Sequence, residues 1–221
     1  MSDASVTISW DEPQAEELRR DQEFWSVYEA AFPINEREQP EVILRAISQK
    51  VGVAVRARQN GETIGLASMH LLQDPACVFL VYLAIAPHMQ SRGLGQRLLQ
   101  YAWQVGSQRC AQNGSPATGM VWEVDPPALA MNEKERQKRE RRIRFFSRQG
   151  GEVLQCDYVQ PPLHGDKPVK MHLMHRPADS TSALSFEATV GLVRAMYLQK
   201  YGAVNGIDER VLQDLLRAYE L

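Results

Sequence analysis

The stretch that most constrains this chain is CVFLVYLAIAPHMQSRGLGQRLLQ, residues 77–100. An unbroken apolar run from Val78 to Ala86 stops at Pro87, and a polar loop with two glycines follows, Gln90-Ser91-Arg92-Gly93-Leu94-Gly95. Apolar residues then recur at helical spacing: Leu94, Leu98, Leu99, Ala102 and Trp103. A short apolar run bounded by a breaker and rich in β-branched and aromatic residues suits a strand covered on both faces. The order is therefore buried strand, loop, helix N-terminus. Backbone N–H groups bared at a helix start favour an anion, because unpaired amides and the helix dipole act in the same direction. The loop is read as a cradle for the phosphates of a ligand.

The remaining segments decide what kind of fold surrounds that strand. Residues 6–10 alternate and read as a first strand, and a helical stripe runs through Leu18, Phe24, Trp25, Tyr28 and Ala31. Pro40 opens a second helix. Two alternating segments flank Asn60-Gly61, a strong hairpin signal. After the glycine loop and its helix come a strand at 118–124, a helix at 129–149, a strand at 152–159 and its antiparallel partner at 169–175. A linker at 177–182 leads to two amphipathic helices, 186–201 and 208–221. Hairpins mixed with strand–helix–strand units predict an α/β (α+β) fold, a mixed and mostly antiparallel central sheet with helices on both faces. The chain divides into a main domain, 1–178, and a C-terminal helical extension, 179–221. The extension's apolar faces must be buried, on the chain's own domain or in a homodimer.

Composition excludes several classes. A formal net charge of −2 gives no global electrostatic argument for a nucleic-acid or membrane partner. No apolar stretch approaches the roughly 20 residues of a transmembrane helix, and no secretory signal pattern opens the sequence. Cys77, Cys110 and Cys156 are odd in number and isolated, which suits apolar fillers in a reducing compartment. A cytoplasmic protein without a metal is expected. The run 133–142 mixes six basic with three acidic residues and offers Glu135–Arg139 and Glu140–Arg144 pairs, the pattern of an exposed helix.

Three phosphate-binding signatures compete for the loop. A Walker A loop needs Gly-Lys-Ser/Thr, but Gln96-Arg97 follow Gly95. A dinucleotide fingerprint needs a third glycine where Leu98 stands. The third signature fits. Leu83-Ala84-Ile85-x-Pro87-x-x-Gln90-x-x-Gly93-x-Gly95-x-x-Leu98 resembles motif A of the GCN5-related N-acetyltransferases, the GNAT superfamily, and the element order from about 6 to 176 is similar to that family's. The resemblance implies an acetyl-CoA-dependent N-acetyltransferase. Main-chain groups of Leu83, Ala84 and Ile85 would pair with the pantetheine arm. The backbone of Gln90, Ser91, Arg92, Gly93, Leu94, Gly95 and Gln96 would cradle the pyrophosphate, with Arg92 and Arg97 as salt-bridging candidates. The acceptor expected is a primary amine of a small molecule.

Acetyl transfer to an amine needs a neutral nucleophile, a polarised thioester carbonyl and a route for protons. The strand 78–86 carries no acidic residue, so Glu123 on the next strand is the candidate base; the other reading is a solvated or salt-bridged strand-end carboxylate. Where many relatives carry a proton-donating tyrosine this chain has Phe146. Tyr82 and Tyr158 are the substitutes, each also readable as a core aromatic with a tethered hydroxyl. Phe146 keeps a second function open, an acyl-CoA-binding regulatory protein with weak or no turnover. Glu36 and Glu38, in the loop after the first helices, are candidate amine anchors or else solvated charges.

Overall fold

The computed structural model describes residues 7–34, 36–163, 167–179 and 184–219. The strand β1 (Ile8–Asp11) is followed by two short helices, α1 (Ala15–Arg19) and α2 (Gln22–Ala31), where a single stripe predicted one. Asp21 makes the break. Its backbone leaves the helical region (φ −82°, ψ 86°), and its carboxylate accepts the Phe24 N–H at 2.9 Å, capping a new helix. The next helix, α3 (Pro40–Ser48), starts on the predicted proline. Strands β2 (Gly52–Gln59) and β3 (Glu62–Gln73) form the predicted hairpin, with Asn60 and Gly61 at φ 52° and 90°. Two left-handed residues in a two-residue loop match the twist of the strands they join.

The central run becomes β4 (Ala76–Ile85), then the glycine loop and α4 (Leu94–Gln112), then β5 (Gly119–Val124). Beyond it, α5 (Glu133–Ser147) begins four residues later than predicted because Asn132, not Leu129, caps it, accepting the Glu135 N–H at 2.9 Å. The strand predicted at 152–159 is two pieces, β6 (Glu152–Val153) and β7 (Val159–Gln160), since the Cys156 N–H closes on the Leu154 carbonyl in a tight turn. Its partner divides likewise into β8 (Val169–Lys170) and β9 (His172–Pro177). Helix α6 (Phe186–Ala195) runs directly into a π-helical segment, Met196–Gly202, and α7 (Glu209–Leu216) follows. Part of the predicted linker, 180–182, lies outside the described residues.

Seven strands form a mixed sheet in the order β1-β2-β3-β4-β5-β9-β6, and β7 pairs with β8 apart from it. Strands β1 and β2, β2 and β3, β5 and β9, and β6 and β9 pair antiparallel, whereas β4 and β5 run parallel. The parallel register covers Val78, Phe79 and Leu80 against Met120, Val121 and Trp122. The fold is thus the predicted mixed, mostly antiparallel sheet with helices.

The chain clusters into two compact units, Met1–His70 with Val81–Gly106, and Leu71–Leu80 with Ser107–Leu221. In the first, Leu18, Phe24, Tyr28, Ile43, Leu44 and Leu66 bury together with Tyr82. A smaller cluster joins Ile64, Met89 and Leu94 to Trp10 and Ile85. In the second, the C-terminal helices are part of the core: Leu192, Val193, Met196, Tyr197 and Tyr201 are buried. The Gln73 N–H donates to Gln199, and the Tyr219 hydroxyl donates to the Asp157 carbonyl at 3.1 Å. Much of the apolar faces is therefore covered by the chain itself, while Phe186 and Val211 stay exposed.

Candidate active site

The loop between β4 and α4 takes its form from three local facts. A 3₁₀ turn at Pro87–Met89 buries Met89 in the small cluster and pins the start of the loop. The Gln90 side-chain amide donates back to the Ile85 carbonyl at 3.1 Å, tying the loop to the strand end. Leu94, buried, pins the other side. Between the pins, residues 90–93 are exposed, and Ser91 and Gly93 both take left-handed backbone angles, φ 64° and 73°. Left-handed geometry is cheap for glycine and costly for serine, so an ordinary turn is a poor reason for Ser91 to adopt it. The Arg97 N–H reaches the Gly93 carbonyl at 3.4 Å, which puts the amides of Leu94, Gly95 and Gln96 in the first turn of α4, where a helix has no carbonyl of its own to pair them. A β-carbon built on Gly93 meets nothing within 4 Å, so the space over the loop is open. These features fit a phosphate group. Arg92 is exposed at the loop, whereas the Arg97 guanidinium stacks on Trp10, 5.3 Å from the ring centre.

Leu83 and Ile85 are half-buried and Ala84 buried on β4. Gly65 on β3 makes room for Ile85, since a β-carbon there would lie 2.7 Å from the Ile85 side chain.

Tyr82 belongs to a different local arrangement. Only 4% exposed, its ring meets Tyr28 and Phe32 edge-on at 4.9 and 4.8 Å. Its hydroxyl accepts the Glu38 N–H at 2.7 Å and donates to the Glu36 carbonyl at 3.4 Å, while the Tyr28 hydroxyl donates to the Glu38 carbonyl at 3.0 Å. Burial pushes the Tyr82 hydroxyl far above its usual range, with the Glu38 carboxylate adding to the shift. The two loop glutamates separate accordingly: Glu36 is exposed and Glu38 buried, 4% exposed.

Glu123, one residue past the last parallel pair on β5, gathers the densest polar cluster. It accepts hydrogen bonds from the hydroxyl of Tyr158, from the Gln160 amide at 2.8 Å and from the Tyr201 hydroxyl, which lies 2.8 Å from both carboxylate oxygens. Burial raises the carboxyl above its ordinary value; the three donors and the Lys200 ammonium pull it back without cancelling the rise. The residue as a whole keeps partial exposure, while its carboxylate is packed among protein atoms. The sequence flagged Glu123 and Tyr158 but gave no sign of Gln160 or Tyr201. The only available signal is that a carboxylate on a covered strand needs donors. Phe146 stacks on Trp122 at 4.7 Å, and Gly151 leaves space for that indole: a β-carbon there would approach it to 2.4 Å.

This arrangement can be set beside known proteins. The sequence matches the family described as "Acetyltransferase (GNAT) family" over residues 13–127, more than half of its 221 residues. The chain belongs to the GNAT acetyltransferase family. Its fold is similar to that of a GNAT-family protein from Bacteroides thetaiotaomicron, at 19% identity and a TM-score of 0.67, over 90% of this chain and 99% of that one. It is also similar to PaiA N-acetyltransferase from Thermoplasma acidophilum, solved in complex with coenzyme A (13% identity, TM-score 0.51, 78% and 99% covered). A third similar structure is Arabidopsis thaliana Naa50 with the bisubstrate analogue CoA-Ac-MVNAL (16% identity, TM-score 0.54, 77% and 99% covered). No curated protein sequence matches the chain. Among the described residues, no helix is long and apolar enough to cross a membrane, and no group of three or more His, Cys, Asp or Glu residues could hold a metal.

Proposed function

We propose that this chain transfers the acetyl group of acetyl-CoA to a primary amine of a small molecule. The observation that carries the reading is the exposed loop 90–93, with left-handed Ser91 and Gly93, running into the first turn of α4 in a GNAT-family chain. Its amides cradle the pyrophosphate, where the missing Gly93 side chain lets phosphate oxygens approach the backbone. Arg92 adds charge at the rim, and Arg97, engaged on Trp10, contributes less. The half-buried Leu83 and Ile85 supply main-chain groups to the pantetheine arm.

The reaction joins the amine nitrogen to the thioester carbonyl carbon and breaks the carbon–sulfur bond. Glu123 takes the proton that the nitrogen loses, directly or through a water, and the departing thiolate is protonated from solvent. A carboxyl raised above its ordinary value is better matched to that task near neutrality than an exposed one. Phe146 supplies packing for Trp122 and no proton. Tyr82 orders the Glu36–Glu38 loop, and the exposed Glu36 carboxylate attracts the amine while the buried Glu38 shapes the loop beneath it.

Isothermal titration of the full chain with acetyl-CoA tests the ligand. Saturable binding that is lost with acetyl-pantetheine, which lacks the nucleotide and pyrophosphate, is the expected result. Absence of heat at millimolar acetyl-CoA overturns the reading.

A further inference from the structure

We propose that Tyr201, carried by the π-helical segment Met196–Gly202, is a positioning residue for the Glu123 carboxylate, so that the C-terminal helices are a working part of the transferase. The inference rests on the reading of Glu123 as the proton acceptor and adds what holds it.

The geometry distinguishes this contact from ordinary docking. The extension already has anchors that do not touch Glu123. Tyr197 donates to the Val159 carbonyl, Tyr219 to the Asp157 carbonyl and the Gln73 N–H to the Gln199 side chain, with Leu192, Val193 and Met196 buried beneath. Tyr201 instead places its hydroxyl 2.8 Å from each oxygen of a side-chain carboxylate 78 positions away. The Gln160 amide closes the cluster, 2.8 Å from one of those oxygens and 3.2 Å from the Tyr201 hydroxyl. The donors come from two parts of the chain: Tyr158 and Gln160 from β7 and the residue just before it, Tyr201 from the extension. A carboxylate gripped by donors on separate elements has one orientation, which a proton acceptor requires.

The backbone supports the same assignment. π-Helical turns are rare and concentrate at functional sites. Here the helix leaves α geometry over the seven residues that carry buried Tyr197, Lys200 and Tyr201. Among the described residues, the charged and titratable groups that act on Glu123 include Tyr158 before β7, and Tyr197, Lys200 and Tyr201 on the π-helical segment. Lys200 is engaged with Asn205 at 2.7 Å, and the β9 residue in register with Glu123 is apolar, Leu173. Tyr201 is thus a neutral donor that favours the ionised carboxylate, and the Lys200 ammonium acts in the same direction.

The test is the pH profile of kcat/KM for amine acetylation by the full chain. Removing the hydroxyl in Tyr201→Phe makes Glu123 harder to ionise, so the acid limb moves up by about one pH unit. Replacing Tyr201 by 3-fluorotyrosine, whose more acidic hydroxyl donates more strongly, moves the limb down; this arm decides the matter if the phenylalanine variant fails to fold. Tyr219→Phe loses a docking hydrogen bond of the same extension and leaves the limb in place. An acid limb unmoved by both changes at Tyr201, or moved equally by Tyr219→Phe, overturns the positioning role alone. Absence of transfer by the wild type to any amine overturns the role of Glu123, and this inference with it.

Discussion

Tyr82 shows how one side chain fixes the meaning of its neighbours. Its hydroxyl is committed to main-chain groups of Glu36 and Glu38, and its ring to Tyr28 and Phe32. Tyr82→Phe strands the buried Glu38 N–H, at a cost of about 1–3 kcal/mol. The loop that presents Glu36 then loosens, so KM for the amine rises while kcat stays nearly constant. Steady-state kinetics check this. A fall in kcat of about 10²–10⁴-fold at unchanged KM would instead make Tyr82 the proton donor. At this scale legibility follows sequence distance. The glycine loop is written in consecutive residues whose local chemistry can be read off the chain. Tyr82 and Glu38 stand 44 positions apart, and Tyr201 and Glu123 stand 78 apart. No periodicity reports such pairings, because packing of the whole fold brings them together.

Among the elements, α2 depends most on a single ionised group. Asp21 caps it and also accepts from Arg56 at 2.6 Å and from the Thr63 hydroxyl at 3.1 Å; Arg56, itself buried, is shared with Asp11 and Glu17. Burial alone would raise the Asp21 carboxyl, but the Phe24 amide, Arg56 and Thr63 outweigh it and hold it below its ordinary value of 3.8. A carboxyl depressed in the folded state contributes stability above the unfolded value and loses it as pH falls through the folded one, here below about pH 4. Asp21→Ala is therefore expected to destabilise the protein by about 1–3 kcal/mol at pH 7. The gap from wild type should narrow as pH drops below about 4. Thermal melts across pH check this, and a gap constant from pH 7 to 3 would contradict it. The same residue explains a misread element. The apolar stripe continues across Asp21, so periodicity alone predicts one helix, whereas the cap divides it. The Asn60-Gly61 hairpin, by contrast, is specified by two adjacent residues.

For the molecule as a whole, the mixed, mostly antiparallel sheet and the glycine loop followed from hydrophobic pattern and turn chemistry, while the spatial order of the strands and the role of the C-terminal helices did not. Their amphipathic faces announce burial without naming a surface; the contacts of Tyr197, Gln199, Tyr201 and Tyr219 name it. Placing Tyr201 on Glu123 turns an apparent appendage into part of one chemical unit. With a formal net charge of −2, the proposed function gives selection of the acceptor to local groups such as Glu36 and not to a global field. The most direct test of the central claim is release of free coenzyme A thiol from acetyl-CoA, followed with and without each member of a panel of primary amines. The account predicts release that depends on an amine and falls about 10²–10⁴-fold in Glu123→Gln. Saturable acetyl-CoA binding with no amine-dependent release from any member of the panel would contradict it.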